Sequence, residues 1–197
     1  KIGMIGLPQT GKKALFEVLT GHAISEKDAA SGKPVKGIAE VRDPRFDKLV
    51  SLYSPKKNVR AKVDIELLPK LEKDAIAAGD IFKDIADADA ICHVVRAFKD
   101  DSVYHAKGSV DPERDIQDVN SELILHDLIF VEKRLERIDK DAKKANDPAA
   151  LKERGVLSRL KEHLDKTLPL RLLELSEDDK KHIMSYPFIT LKEMVAV

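Results

Sequence analysis

The chain has 197 residues, of which 43% are hydrophobic, 36% charged and 5% aromatic, and its 35 Lys and Arg balance 35 Asp and Glu. A net charge of zero argues against a generally basic nucleic-acid binder, and the single cysteine, Cys92, excludes an intramolecular disulfide framework and a cysteine-based zinc site. With no apolar run near the ~18 residues of a membrane span and no signal peptide, we expect a cytoplasmic protein without a membrane partner.

Strand and helix patterns alternate through the first half of the chain. Apolar positions three and four residues apart predict helices, and alternating or continuous apolar runs predict strands. The predicted elements are a strand at 1–5, a helix at 12–19, a mobile loop at 22–36, a short strand at 37–41, a helix beginning at Asp43-Pro44, a half-exposed strand at 59–67, a helix at 74–87 and a buried strand at 90–95. This order favours an α/β fold with a mostly parallel sheet.

The segment 112–165 has a different, strongly helical pattern with one glycine, Gly155. Apolar residues spaced four and three apart form the seam of a coiled coil: Ile124, Leu128, Val131, Leu135 and Ile138. Asn146-Asp147-Pro148 interrupts the pattern before a second helix, which predicts an antiparallel helical hairpin. A short helix is then predicted at 176–185, capped by Ser176, and the start of a buried strand at 194–197.

A glycine-bounded loop, residues 6–12 (GLPQTGK), lies between the first predicted strand and the first predicted helix. Its glycines allow several backbone N–H groups to point at one anion, the helix adds its positive end, and Lys12 would reach the β- and γ-phosphates of a nucleotide. The candidate phosphate-binding residues are Gly6, Pro8, Gln9, Thr10, Gly11, Lys12, Lys13 and Ala14. The simpler alternative is an ordinary strand-to-helix turn with two solvated lysines.

Lys13 occupies the position at which a phosphate loop normally has Ser or Thr. That hydroxyl holds Mg²⁺, whereas a charged lysine is a donor with no lone pair. Two interpretations stay open: the Lys13 ammonium replaces part of the charge of the metal, or it points to solvent. Both argue against Mg²⁺-assisted phosphoryl transfer.

Five collinear stretches carry a family resemblance: residues 2–8, 41–49, 89–98, 111–137 and 185–192. Residues 89–98 (DAICHVVRAF), for example, are similar to the family pattern DAIxHVVRCF, and 185–192 (SYPFITLK) to SYNFLTLKP. The chain thus resembles the YchF family of Obg-like P-loop ATPases and GTPases. The resemblance implies a Ras-like G domain at 1–111 and 166–197, interrupted by the helical insertion at 112–165.

The resemblance also implies that the chain binds ATP or GTP and associates with ribosomes. It places the base-reading Asn-x-x-Glu motif after Val197 and a C-terminal TGS-like domain beyond it, so the sequence leaves ATP or GTP open. Because the chain stops inside a predicted core strand, we expect a G domain that is incomplete at its C-terminus. The oligomeric state is left open as well.

The departures from the family pattern concern the chemistry of hydrolysis. Leu67-Leu68-Pro69-Lys70 stands where the family has Asp-x-x-Gly, and 70–79 keeps a single glycine. The first switch, 22–36, has no matching threonine, and Ser25 and Ser31 are poor substitutes. One hypothesis is a nucleotide-binding protein with weak or lost hydrolysis, favoured by the retained loop. The alternative is a non-catalytic scaffold whose hairpin binds a macromolecular partner such as the ribosome.

Other chemistry-bearing residues have simpler explanations. The six histidines lack metal-ligand spacing, so we predict no metal site, and His93 and Cys92 lie on a buried strand where core packing explains them. The basic cluster at 56–60 (KKNVR) would suit RNA phosphates, but a solvated turn explains it more simply.

Overall fold

The computed structural model describes residues 1–69, residue 71, 80–141 and 147–197. In these ranges the strands form one five-stranded sheet in the order β2-β3-β1-β4-β5. The strands are β1 (Ile2–Ile5), β2 (Val35–Glu40), β3 (Lys62–Leu67), β4 (Ala90–His93) and β5 (Glu193–Ala196). Only the β2–β3 pair is antiparallel, and the pairs β3–β1, β1–β4 and β4–β5 are parallel. The prediction of a mostly parallel α/β sheet is confirmed.

Helices connect the strands. They are α1 (Lys12–Thr20), α2 (Glu26–Ala30), α3 (Pro44–Tyr53), α4 (Asp80–Ala86), α5 (Pro112–Lys140), α6 (Pro148–Asp165), a 3₁₀ turn (Leu170–Leu172) and α7 (Glu177–Ile183). Three helices, α3, α5 and α6, start at an Asp-Pro pair. In each pair the aspartate side chain accepts a backbone N–H of the first turn and proline takes the first helical position.

Two local predictions were wrong. Residues 22–36 are not all loop, because Ser25 accepts the N–H of Asp28 and thereby caps α2, and β2 begins at Val35. The predicted half-exposed strand at 59–67 begins only at Lys62, and its last three residues, 65–67, are all buried. Glu66 is among them because Lys1 and Lys36 pair with its carboxylate.

The first part of the predicted helix at 74–87 lies outside the described residues. Within them, the helix is present as α4 (Asp80–Ala86). The predicted strand at 90–95 ends at His93, two residues early. The short helix after Ser176 is present and opens with a full capping box between Ser176 and Asp179.

Helix α5 packs into two hydrophobic cores in succession. Its first half places Val119 and Leu123 against the sheet beside Ile5, Ile85 and Ile91. Its second half places Ile124, Val131 and Ile138 against α6 and the residues that follow α6. The five seam residues predicted from the sequence all belong to this second core. The helical hairpin therefore begins inside the sheet's own core.

A buried carboxylate at the base of the hairpin binds the residues that precede β5. Asp127, 0% exposed, accepts hydrogen bonds from the N–H of Ile189 (3.1 Å), the N–H of Thr190 (2.8 Å) and the hydroxyl of Thr190 (2.7 Å). Three donors compensate the cost of burying this charge.

In the described ranges no helix is both long and apolar enough to cross a bilayer.

Candidate phosphate-binding site

The phosphate loop joins β1 to α1 and lies against the residue that follows β4. Val94 donates its N–H to the carbonyl of Ile5 at 2.9 Å, which brings the two chain segments side by side. Gly6 has a φ of 151°, and a Cβ built on it would lie 2.3 Å from the Val94 carbonyl oxygen. Only glycine fits at this position, because any side chain would overlap the neighbouring backbone.

The loop ends at a second glycine that starts the helix. Gly11 has a φ of 92° and precedes α1, and it provides no side chain to cap the first turn. An uncapped helix start presents N–H groups that have no intrahelical acceptor, together with the positive end of the helix dipole. This arrangement is suited to an anion.

Lys12 lies across the inner side of the loop and is only 7% exposed. Its ammonium donates to the carbonyl oxygens of Gly6 (2.6 Å) and Leu7 (2.5 Å). The hydroxyl of Thr10 also donates to the Leu7 carbonyl, at 3.1 Å. The lysine charge is thus held within the turn, next to the N–H groups of the helix start, where charged phosphate oxygens would be stronger acceptors than neutral carbonyls.

The remaining predicted site residues surround this turn. Pro8 is half-buried, Gln9 is exposed with a φ of 60°, and Lys13 and Ala14 are exposed in the first turn of α1. The structure thus brings the predicted residues Gly6 and 8–14 into one strand–loop–helix turn.

The side chains around the turn do not fit Mg²⁺. Lys13 offers no lone pair, and the end of β3 presents Leu67 and Leu68, which are buried and aliphatic. The two serines of the predicted first switch are engaged locally, because Ser25 and Ser31 both bond to Asp28. No cluster of three or more metal-ligating side chains occurs within the described part of the chain.

A buried histidine lies behind the loop. His93 ends β4 directly beside Ile5, is 1% exposed, and its Nδ1 has no hydrogen-bond partner among the described residues. The prediction of a core histidine is confirmed by this burial, whereas the unpaired Nδ1 departs from the hydrogen-bonded state usual for buried polar atoms. Burial, and then the positive charge of Lys12, lower the pKa of His93 to about 4, against the opposing carboxylate of Asp115.

Asp115, in α5, is a second buried polar residue whose charge acts on His93. Its Oδ1 accepts from Arg114 at 2.9 Å. Its Oδ2 lies 3.1 Å from His105 Nε2, but outside hydrogen-bond direction, so this oxygen has no hydrogen bond within the described ranges. No motif in the sequence indicated His93, His105 and Asp115. These residues are separated along the chain, and the fold brings them together.

Comparisons with known proteins agree on one family, although no family model matches the chain. The chain is 39% identical to the ribosome-binding ATPase YchF of Bacillus subtilis, over 99% of this chain and 55% of that protein. It is 33% identical to Obg-like ATPase 1 of Caenorhabditis elegans, over 99% of this chain and 51% of that protein. The chain therefore spans about half the length of the curated relatives it matches.

A solved structure supports the same relationship. The YchF GTPase of Schizosaccharomyces pombe superimposes with a TM-score of 0.77 at 28% sequence identity. The match covers 100% of this chain and 55% of that one. The overlap extends over the sheet, the loop and the helical hairpin alike.

Replacing Gly6 by alanine should destabilise the fold by about 3 kcal/mol, because the new methyl group would overlap the Val94 carbonyl. Urea unfolding followed by circular dichroism measures this change. The matched control is Gly155→Ala, inside α6, where an added Cβ meets nothing within 4 Å. That substitution should stabilise by about 0.5–1 kcal/mol. Equal effects at both glycines would contradict the close approach.

Acidification should weaken the fold through His93. The unfolded histidine gains its proton near pH 6.5 and the folded one only near pH 4, so stability falls as the pH drops through this window. We expect about 2 kcal/mol of this loss between pH 7 and pH 5. In His93→Gln, that part of the pH dependence should disappear. Parallel pH profiles of unfolding free energy for the two proteins would disprove the assignment.

Proposed function

The chain belongs to the YchF family of Obg-like ATPases and GTPases over the residues it spans, and from this premise we propose that it binds a purine nucleotide, ATP or GTP, at the loop of residues 6–14. The observation that carries the proposal is the strand–loop–helix turn, in which Gly6 packs against the Val94 carbonyl and Gly11 starts α1 without a side-chain cap. Lys12 adds a positive charge inside that turn. The match to relatives named as an ATPase and a GTPase supports the same function.

We further propose that hydrolysis is weak or lost. Phosphoryl transfer depends on positioning and on neutralising the charge of the transferred group. At the end of β3 the chain presents Leu67, Leu68 and Pro69, of which the first two are buried. None of the three side chains can hold a metal ion, and proline has no N–H to donate. The groups that remain would hold phosphates without activating the attacking water.

We propose a division of the chain into two parts whose packing overlaps, because the second core also includes Leu170, Ile183 and Phe188 of 166–197. We assign 1–111 and 166–197 to the G domain and 112–165 to a coiled-coil-like insertion, whose first turns also pack on the sheet. The bacterial relatives are named ribosome-binding, and the hairpin has a charged outer surface with exposed ion pairs such as Arg154–Asp139. These two facts support the ribosome as a partner contacted through the hairpin.

Calorimetric titration with ATP and with GTP, in buffers with and without Mg²⁺, tests nucleotide binding directly. Lys12→Met keeps the length of the side chain and removes its charge. It should weaken binding at least about 100-fold, because charge-assisted hydrogen bonds to phosphate are lost. Lys48→Met is the matched control, since Lys48 is an exposed lysine of α3 and not one of the loop residues 6–14. It should bind as the parent chain does.

The same experiment can reject the proposal. Absence of heat at millimolar nucleotide in every buffer, from a chain that circular dichroism shows to be folded, would do so. Equal affinity of Lys12→Met and the parent chain would also reject it.

Release of inorganic phosphate from ATP and GTP measures hydrolysis. We expect the parent chain with Mg²⁺ to match Lys12→Met, since the described residues hold no cluster of three or more metal-ligating side chains and Leu67 and Leu68 at the end of β3 are aliphatic. Phosphate release that depends on Mg²⁺ and disappears in Lys12→Met would show an active hydrolase instead.

A further inference from the structure

Lys13 projects from the start of α1 without a partner in the described part of the chain. It is exposed, and no hydrogen bond or ion pair joins its ammonium to those residues. Glu17, four residues later on the same helix, is the neighbour that would ordinarily pair with it. Its carboxylate instead accepts the N–H of Ile24 at 2.8 Å. The Lys13 charge is therefore available to a ligand.

The position of Lys13 directs this charge towards the mouth of the loop. Side chains of a helix lean towards its N-terminus, and Lys13 is the second residue of α1. Lys12 lies inside the turn, bonded to Gly6 and Leu7, whereas Lys13 lies outside it. An anion seated on the N–H groups of the helix start would thus have one ammonium on each side.

A divalent cation would meet unfavourable surroundings at the same place. Oxygen ligands are what Mg²⁺ requires, and Lys13 supplies a second positive charge where such a ligand would stand. Thr10, the one hydroxyl residue within 6–14, donates to the Leu7 carbonyl, and Ser25 and Ser31 bond to Asp28. β3 carries two carboxylates: Glu66 is paired to Lys1 and Lys36, and Asp64 is exposed, three residues before the strand ends at Leu67.

We propose that this loop takes its nucleotide as the metal-free polyphosphate anion, with Lys13 supplying the charge that a divalent cation would otherwise supply. The inference rests on the proposed nucleotide binding and specifies the ionic form that is bound. Mg²⁺ competes with the protein in this mode, because the Mg²⁺–nucleotide complex carries less negative charge and brings a cation close to Lys13.

The test measures ATP affinity by calorimetry in EDTA and in excess Mg²⁺, with four proteins: the parent chain, Lys13→Met, Lys13→Arg and Lys48→Met. The parent chain should bind more tightly in EDTA than in Mg²⁺. Lys13→Met should lose about 10- to 100-fold in EDTA, as expected for one charged contact. Lys13→Arg, which keeps the charge, should recover most of this loss, and Lys48→Met should equal the parent chain. Because Lys13 is exposed and unbonded in the described ranges, melting temperatures should agree within about 2 °C.

Two outcomes separate this inference from the proposed function. Binding that requires Mg²⁺, or that is as tight in Lys13→Met as in the parent chain in EDTA, overturns the metal-free mode and leaves nucleotide binding standing. Absence of binding in both buffers by a folded parent chain overturns nucleotide binding and the metal-free mode together.

Discussion

The contact between the Gly6 backbone and the carbonyl of Val94 decides where the loop can lie. Parallel pairing of β1 with β4 sets Ile5 opposite His93, so the residues that leave both strands meet at one edge of the sheet. The absence of a side chain at Gly6 lets the chain turn there at once and start α1 six residues later. The placement of Lys12, the first residue of α1, depends on this single close approach.

Helix α5 makes the hairpin a continuation of the sheet domain. Val119 and Leu123 pack with the sheet, and Ile124 and Val131 pack with the hairpin, so one rigid helix passes through both cores. Asp127, four residues after Leu123, holds the segment that leads into β5. A displacement of the outer part of the hairpin would therefore be transmitted to the sheet through packed side chains and not through a flexible linker.

The sequence predicted the elements that depend on local patterns and missed those that depend on neighbours. The helix start at Asp43-Pro44, the hairpin seam and the phosphate loop follow from spacing within a few residues. The burial of Glu66 does not, because its partners lie outside β3, Lys1 just before β1 and Lys36 on β2. The unpaired Nδ1 of His93 is also invisible in the sequence, since strand pairing and α5 together create its surroundings.

Holding a phosphate and cleaving it make different demands on a chain. Holding requires backbone N–H groups and a positive charge, which Gly6, Gly11 and Lys12 provide through conformation and one ammonium. Cleaving requires oxygen ligands for a metal ion and a group that orients water, which are carried by separate residues and can be lost independently. In this chain Lys13 and the apolar end of β3 occupy those positions. Such a loop keeps charge complementarity to a polyphosphate, and for that reason we propose that Lys13 takes the place of a metal ion at this site.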